Sequence, residues 1–532
     1  MTEFPASTTE YKQGKRNAFT RFLDGVEWLG NLLPHPVTLF ALLAIGIVLL
    51  SGLLGWMGVS VVDPRPAGAN GVAEDGMIRA ISLMDGDGVR RIFTGLVDNF
   101  TGFAPLGVVL VAMLGVGVAE KSGLLSAAVR SMVMGAPPKL VTVAIVFAGI
   151  ISNTASEVGY VVLIPLGGAI YYALGRHPLA GMAAAFAGVS GGYSANLLIG
   201  TIDPLLAGIT QEAAQLIDPD YTVLATANWY FMFASTFLVA TIGSLVSIYI
   251  VEPKLGEYDA SKADPTILDE GMMQKLTDDE RKGLRWAGLA LLGVLALMAL
   301  TLVPEWGILR NAEDGDRMDS PFFDGFVVWI LIFFVTIGYV YGRAVGTMKS
   351  DRDVIDAMAA ALSSLGLYIV LVFFAAQFVA FFGWTNLGAI TAVTGANFLV
   401  STGMTGPMVF FLFIMLCALI NLSLGSASAQ WAVTAPIFVP MLMLIGYSPE
   451  AIQAAYRIGD STTNIITPMM SYFGLILAWA TRYQKDLGVG TLIAMMLPYT
   501  IFFITAWSIF FYLWTFVFGI PVGPGSPTYY AP

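Results

Sequence analysis

Four ionisable side chains stand inside or beside long apolar runs of this sequence: Glu157, Asp203, Arg457 and Asp460. A charge at membrane depth costs several kcal/mol unless it is paired or hydrated, so each marks a candidate site. Arg457 and Asp460 are three apart, share one helix face and can pair. Small, hydroxyl and amide residues interrupt the apolar runs around them. Ser152-Asn153-Thr154-Ala155-Ser156-Glu157 breaks one run, and Ser194-Ala195-Asn196 through Asp203-Pro204 breaks the next. Further on, Gly425–Trp431 breaks a run and Asp460–Pro468 breaks its successor. Such tips free backbone carbonyls and add side-chain oxygens, which suit a hard cation such as sodium. Helix N-termini aimed into the same cavity suit an anionic group. Trp431, at the second tip, is placed to stack on an aromatic ring. The plainer alternatives are close helix packing through small residues, a structural Arg457–Asp460 pair, and Trp431 as a packing anchor. Two matched pairs of breaks favour a binding site at membrane depth.

The elements that must position these residues are membrane spans. The chain has 532 residues, 57% hydrophobic and 12% charged; a soluble domain carries about 25% charged residues. Many apolar runs exceed the roughly 20 residues that cross a bilayer. The net charge of −11 argues against nucleic acid as a partner. The single cysteine, Cys417, lies in an apolar run, which leaves no disulfide framework and no thiol metal site. His35 and His177 have no metal-ligand neighbours in sequence. Residues 1–36 lack the small-residue cleavage site of a signal peptide. No Gly-x-x-x-x-Gly-Lys-Ser/Thr stretch is present, which argues against ATP-driven work. Met441, Met443, Met469 and Met470 read as packing.

In order, residues 1–36 form a polar N-terminal segment bearing Lys12, Lys15, Arg16 and Arg21. A first half, 37–251, opens with the uncharged span Val37–Gly58. Residues 59–100, rich in Asp and Gly, read as a loop. Thr101–Ala119 spans, and Glu120, Lys121, Arg130 and Lys139 mark the next loop. Leu140–Leu174 is too long for one span and is broken in its middle, with cations at both ends. It predicts a re-entrant hairpin over about 139–175, with one long kinked span as the alternative. A broken helix follows at about 178–217, then the clean span Trp229–Val251. The charged linker 252–285 separates the halves. The second half, 286–518, has spans at Trp286–Pro304, Gly325–Gly342 and about 363–383. An interfacial or lipid-facing segment lies at about 386–402, a second hairpin at about 406–445 and a second broken helix at about 451–481. The last span is Leu487–Phe518, and 519–532 form a neutral tail.

Lys and Arg in short loops mark the cytoplasmic side. They cluster at 12–21, 121–139, 176, 343–352 and 482–485, while the loops at 59–100, 212–227 and 305–324 are acidic. Every cluster is satisfied by an all-α polytopic membrane protein of nine transmembrane helices plus two opposed re-entrant hairpins, an inverted repeat. The N-terminus is then cytoplasmic and the C-terminus external.

Over essentially its whole length the sequence resembles the AbgT family, the p-aminobenzoyl-glutamate transporters. The resemblance is carried by Ser152-Asn153-Thr154 with Glu157, by Gly191-Gly192-Tyr193-Ser194-Ala195-Asn196, by Ser426-Ala427-Ser428-Ala429-Gln430-Trp431 and by Tyr456-Arg457-Ile458-Gly459-Asp460-Ser461. It implies a homodimer of nine-span subunits in the bacterial inner membrane, in contact with lipid, similar to divalent-anion/sodium symporters. It implies substrates built on p-aminobenzoate, with some members exporting sulfonamide antimetabolites and others importing. The family's functional positions fall at Asp203, Ser428, Trp431, Pro449, Arg457, Asp460 and Pro468. On this reading Trp431 stacks on the substrate ring, Arg457 holds a carboxylate or sulfonyl group, and Asp460 orients Arg457 and takes a proton. Asn153, Asn196 and Asn464, with nearby carbonyls, hold a sodium ion; no organic cofactor is implied. The expected function is secondary active transport, not enzymatic, driven by an ion gradient, with export favoured over import. The rivals are a passive channel and an intramembrane hydrolase built on Ser428 or Ser152, which would need a general base within reach.

The charge count predicts that cysteines placed at 135 and at 446, in a Cys417→Ser background, label from opposite faces of the membrane. Labelling of both from one side refutes the inverted arrangement.

Overall fold

A computed structural model describes residues 34–65, 74–155, 158–259 and 275–530. Expectations for residues 1–33, for Ser156 and Glu157, and for the middle of the linker at 260–274 lie outside the described residues.

Helix α1 (Pro36–Trp56) begins with proline at its first position, where the missing N–H has no partner to lose. The acid-rich stretch after it is more ordered than a loop. Strands β1 (Ser60–Val62) and β2 (Met77–Arg79) pair antiparallel with Val61 opposite Ile78, and helix α2 (Gly86–Thr101) follows. Asp85 caps α2 by accepting from Gly88 N at 2.7 Å. Val89, Ile92, Phe93 and Leu96 recur at helical spacing, but two Asp and two Gly at residues 85–88 mask the pattern. The chain runs on into α3 (Ala104–Ser122). The expected loop at 120–139 holds another helix, α4 (Leu124–Met134), launched from left-handed Gly123 at φ 88°.

The next four segments follow the expected breaks. Helix α5 (Val141–Ser152), bent 111° from the helix before it, ends in a tight turn at Asn153–Ala155. The chain returns through a π-turn, Gly159–Leu163, into α6 (Ile164–Ala173). Helix α7 (Pro178–Phe186) unwinds through Ala187–Gly191, and α8 (Ile202–Ala214) resumes beyond an irregular stretch. Helix α9 (Trp229–Val246) completes this half. Helix α10 (Asp278–Leu302) starts inside the expected linker. Thr277 and Glu280 form a capping box there, and Asp278 and Asp279 complement the helix dipole.

Helices α11 (Phe326–Val345), α12 (Asp351–Ser364), α13 (Gly366–Trp384) and α14 (Leu387–Ser401) follow in turn. Then come α15 (Met408–Leu424) and α16 (Ala427–Met443), meeting at Gly425. Gly425 has φ 55°, and a Cβ there would stand 2.8 Å from the Met469 carbonyl carbon, so only glycine fits the tip. Helix α17 (Pro449–Asn464) and α18 (Phe473–Tyr483) form the second broken pair, and α19 (Val489–Tyr512) closes the chain. Among the described residues, seven helices are long and apolar enough to cross a membrane, or eight if α4 and α5 make one bent span.

Both breaks are displaced from where the sequence suggests, to 192–201 and 465–472. Asp203 and Pro204 lie in the first turn of α8, and Asp460 through Asn464 lie inside α17. In the second case Thr462, Thr463 and Thr467 donate to the carbonyls of Ile458, Gly459 and Thr463, four residues back, at 2.7, 2.9 and 2.8 Å. Hydroxyls turned back onto their own helix in this way do not end it, although they tend to bend it. Pro468, which cannot donate to the Asn464 carbonyl, stops it.

The centre of the fold is α17. All 16 of its residues are buried, although half are polar, and it packs against α15, α16, α8 and α19. By contrast α1 and α10 leave most of their apolar surface exposed. Residues 523–530 lie over the entrance to α17: Ser448 N donates to Thr528 O at 3.2 Å and Tyr530 N to Gly446 O at 3.0 Å.

Gly459 permits the close approach of α17 to α15, since a Cβ there would stand 2.6 Å from Ile414 O. Gly459→Ala is therefore expected to destabilise the protein by about 1–3 kcal/mol. Gly46→Ala, where a Cβ meets nothing within 4 Å, should leave the melting temperature in detergent unchanged.

Candidate functional site

A cavity of about 410 Å³ lies where the two tips and the two breaks converge. Asn153 comes from the first tip, Tyr193 and Thr201 from the first break, Gly425, Ser426 and Ser428 from the second tip, and Asn464, Ser471 and Tyr472 from the second break. Tyr160, in the π-turn that leads into α6, and Tyr368 on α13 complete an aromatic rim. The rings of Tyr160 and Tyr472 stack at 4.6 Å with 8° between their planes. These four tyrosines are scattered in sequence, and nothing in their local patterns marks them as neighbours.

Behind the cavity sits a charged cluster. Arg457 Nη2 lies 2.8 Å from Asp203 Oδ1, and both side chains are 2% exposed. Asp203 is held by Gly200 N, which donates to its other oxygen at 2.6 Å. The expected Arg457–Asp460 pair is thus corrected: the partner of Arg457 is Asp203. Residues three apart on one helix point side by side, whereas the long guanidinium spans the gap to the facing helix. Asp460 is buried, and neither carboxyl oxygen has a hydrogen-bond partner among the described residues. The Nε and Nη1 atoms of Arg457 are likewise buried without acceptors. Buried polar groups are normally satisfied, so this concentration of open donors and acceptors is where a polar ligand gains most.

Trp431 does not line the cavity. It lies inside α16 rather than at the tip, is fully buried, donates from Nε1 to Thr210 Oγ1 at 2.9 Å and stacks on Tyr456 at 4.3 Å. Tyr456 OH in turn donates to Ala427 O at 2.5 Å, tying α17 to the second tip. Pro449 is the first residue of α17, at its far end, and Pro468 lies in the second break, both away from the cavity wall.

The three asparagines divide. Asn153 and Asn464 face the cavity; Asn196 stands behind the first tip, where its Oδ1 accepts from Thr154 Oγ1 at 2.8 Å. Asn153 Nδ2 donates to Val189 O at 2.9 Å, which ties the first tip to the first break. Sequence reasoning missed Asn421, the lone amide in apolar α15. Its Nδ2 reaches Asp460 O at 2.8 Å, Thr463 Oγ1 at 3.0 Å and Asn464 Oδ1 at 2.8 Å. Its polarity in an uninterrupted apolar helix was the available signal.

This architecture has counterparts. A model of the AbgT putative transporter family matches residues 21–530. The chain belongs to this family. The p-aminobenzoyl-glutamate transport protein of Escherichia coli (strain K12) is 36% identical over 501 residues, 94% of this chain and 95% of that protein. Among solved structures, the Alcanivorax borkumensis YdaH transporter, described as having an unusual topology, is 46% identical with a TM-score of 0.84 over 92% of this chain and 100% of that one. Neisseria gonorrhoeae MtrF, presented as illuminating a class of antimetabolite efflux pumps, is 59% identical with a TM-score of 0.89 over 95% of this chain and 100% of that one. As an AbgT family member the chain is a polytopic membrane transporter, and its buried ion pair lies in a fold shared with other transporters.

Breaking the pair exposes its energetics. Arg457→Met or Asp203→Asn alone leaves a buried charge uncompensated and is expected to cost about 3–5 kcal/mol. The double variant, Arg457→Met with Asp203→Asn, should recover much of that loss in thermal unfolding of monodisperse protein. Additive losses would show that the two side chains do not act as a pair.

Proposed function

We propose that the chain is a secondary active carrier of p-aminobenzoate-type compounds, exporting aromatic acids and sulfonamide antimetabolites at the expense of an ion gradient. The observation that carries this reading is the convergence of both tips and both breaks on one cavity, backed by a buried guanidinium with open N–H groups. The carboxylate or sulfonyl group of the substrate matches the fork of Arg457 and competes for it with Asp203. The ring sits against Tyr160 and Tyr472, whose stacked faces offer an aromatic platform at the cavity rim. Ser428 lines the wall and offers a hydroxyl. Asp460, with no cation paired to it, is the acid that takes a proton when substrate engages Arg457.

Export draws support from the 59% identity to a protein described as an efflux pump. Import, the second reading, draws on the 36% identity to a protein named for p-aminobenzoyl-glutamate transport. A hydrolase has less support: Ser152 Oγ donates to Gly149 O at 2.7 Å and not to a base. The carrier would work as a homodimer in the bacterial inner membrane, N-terminus inside and tail outside, with the exposed apolar sides of α1 and α10 toward lipid or the second subunit. Two inverted halves around the linker 252–285 would then move about the cavity.

Sodium fits the first tip. The Asn153 amide faces the cavity with only its nitrogen engaged, and the tight turn at Asn153–Ala155 supplies carbonyls. Asn464 would add an oxygen from across the cavity and Asn196 would hold the tip through Thr154. A resident cation there would neutralise substrate charge.

Counterflow of labelled p-aminobenzoyl-glutamate in proteoliposomes tests the carrier reading; flux that shows no exchange acceleration points to a channel. Tyr160→Ala and Tyr472→Ala should raise the apparent substrate Kd several-fold, by about 1 kcal/mol for a lost aromatic stack. Sodium at 100 times its Kd should stabilise the wild type by about 2.7 kcal/mol and Asn153→Ala by much less. A melting temperature indifferent to sodium removes the cation from the proposal.

A further inference from the structure

Helix α17 carries an acid that the cavity does not use. Glu450 stands at its second position, 3% exposed. The Tyr221 hydroxyl donates to its carboxyl group, 2.9 Å from one oxygen and 3.2 Å from the other. Among the described residues no Lys, Arg or His forms an ion pair with it. The groups packed around it come from every neighbouring element. Asn228, at the start of α9, donates to the Glu450 carbonyl at 2.8 Å. Ser448 caps α17. Tyr530 of the tail sets its ring edge-on to Tyr221 and donates to Asp218 at 3.2 Å. The cation of this loop cluster, Arg65, is committed to Asp63 at 2.6 Å and to the Ile217 carbonyl.

Two influences on this carboxyl group oppose each other. Burial without a countercharge favours the neutral acid. The hydroxyl of Tyr221 and the N-terminus of α17 favour the anion. A group balanced in this way can load and release a proton as its surroundings open and close.

Its place on the helix links it to the substrate cluster. Glu450, Gln453, Arg457, Asp460 and Asn464 follow at intervals of three and four, a single buried polar face. By the 1.5 Å rise per residue this stripe is roughly 21 Å long. Helix α8 runs antiparallel along it: Asp203 faces Arg457, and Thr210 Oγ1 donates to Gln453 Oε1 at 2.6 Å. The stripe starts beneath the C-terminal tail and ends in the cavity wall at Asn464.

We propose that Glu450 is a proton-carrying residue of the transport cycle. One proton passes from water on the tail side to a Glu450 carboxyl oxygen when that end opens. It leaves along the polar stripe towards the cavity when the carrier faces the other way, and the carboxylate is then held by Tyr221 and the helix N-terminus. Because Glu450 and Arg457 share one rigid helix, the movement that engages substrate also changes the enclosure of Glu450. This inference rests on the carrier reading of the cavity and adds Glu450, at the far end of α17, as a proton-carrying acid distinct from Asp460.

The test uses full-length protein in proteoliposomes with p-aminobenzoyl-glutamate and an imposed pH gradient. Glu450→Gln keeps the shape and the acceptor for Tyr221 but cannot titrate. Its gradient-driven flux should fall roughly tenfold, while substrate exchange, which moves no net proton, is retained. Glu450→Asp should restore driven flux with a displaced pH profile, and Tyr221→Phe should displace the profile of the wild-type acid. A Glu450→Gln protein with an undiminished response to the gradient overturns the proposal, and so does a wild type that exchanges substrate but ignores the gradient. A wild type that fails to exchange substrate at all overturns the carrier reading instead.

Discussion

Arginine keeps its charge in almost any environment, and Arg457 is 2% exposed in the centre of an apolar protein. Much of the surrounding architecture follows from that constraint. A buried guanidinium must be answered by an anion, and Asp203 answers it from the first turn of α8. A carboxylate in a first helical turn is favoured by the helix dipole, so placing a helix start at this depth lowers the cost of both charges. That placement requires a helix to begin in the interior, which a continuous span between residues 178 and 214 would not provide. The break before Ile202 is therefore tied to the ion pair. Its irregular backbone is held from both halves of the chain: Ser194 N donates to Ser461 on α17 at 3.1 Å, and the indole of Trp229, on α9 of the same half, donates to Leu197 O at 2.9 Å.

The same requirement governs the two tips. Irregular backbone deep in such a protein survives only where other groups satisfy it or water reaches it. Asn153 binds the first tip to Val189, and Asn421 binds the end of α17 to α15 through three acceptors. Tyr456 grips the second tip at Ala427 and shields its own ring against Trp431. Each tip is thus fastened to the broken helix of its own half. Under the proposed carrier reading, tip and broken helix would move as one unit while the cavity opens and closes, which is the mechanical condition for exposing one site to alternate sides.

Much of this was legible in the sequence because lipid is so poor a solvent for polar groups. A Ser-Asn-Thr cluster in a soluble protein says little; in an apolar run it must mark a break, and helices do part at Asn153 and at Gly425. Helices that fill uncharged runs, such as α1, α9 and α19, fell close to their expected limits for the same reason. What composition hid was local chemistry. Helix α2 was lost among Asp and Gly because its capping residues resemble those of a loop. The ends of α8 and α17 were set too early or too late because hydroxyls that bind their own helix look, in sequence, like hydroxyls that break it. Tertiary pairing was the larger gap. Arg457 and Asp460 are adjacent on one helix, and sequence spacing favours that local partner. The partner found, Asp203, is 254 residues away and becomes its neighbour only when α8 lies antiparallel to α17.

That change of partner alters the logic of coupling. If Arg457 were held by Asp460, an entering anion would displace a residue on the same rigid helix, and nothing else would need to move. With Asp203 as the partner, the displaced acid belongs to α8, and the exchange bears on the contact between two broken helices from different halves. On the proposed reading, substrate that takes the guanidinium would leave Asp203 buried without a countercharge, held by Gly200 N. That state costs several kcal/mol unless Asp203 gains a proton or moves toward water. Either response would do work: the first would make Asp203, beside Asp460, a second acid tied to substrate entry, and the second would draw the start of α8 away from α17. On that reading the ion pair would serve as latch and sensor at once, because the event that satisfies Arg457 would be the one that loosens the contact between α8 and α17.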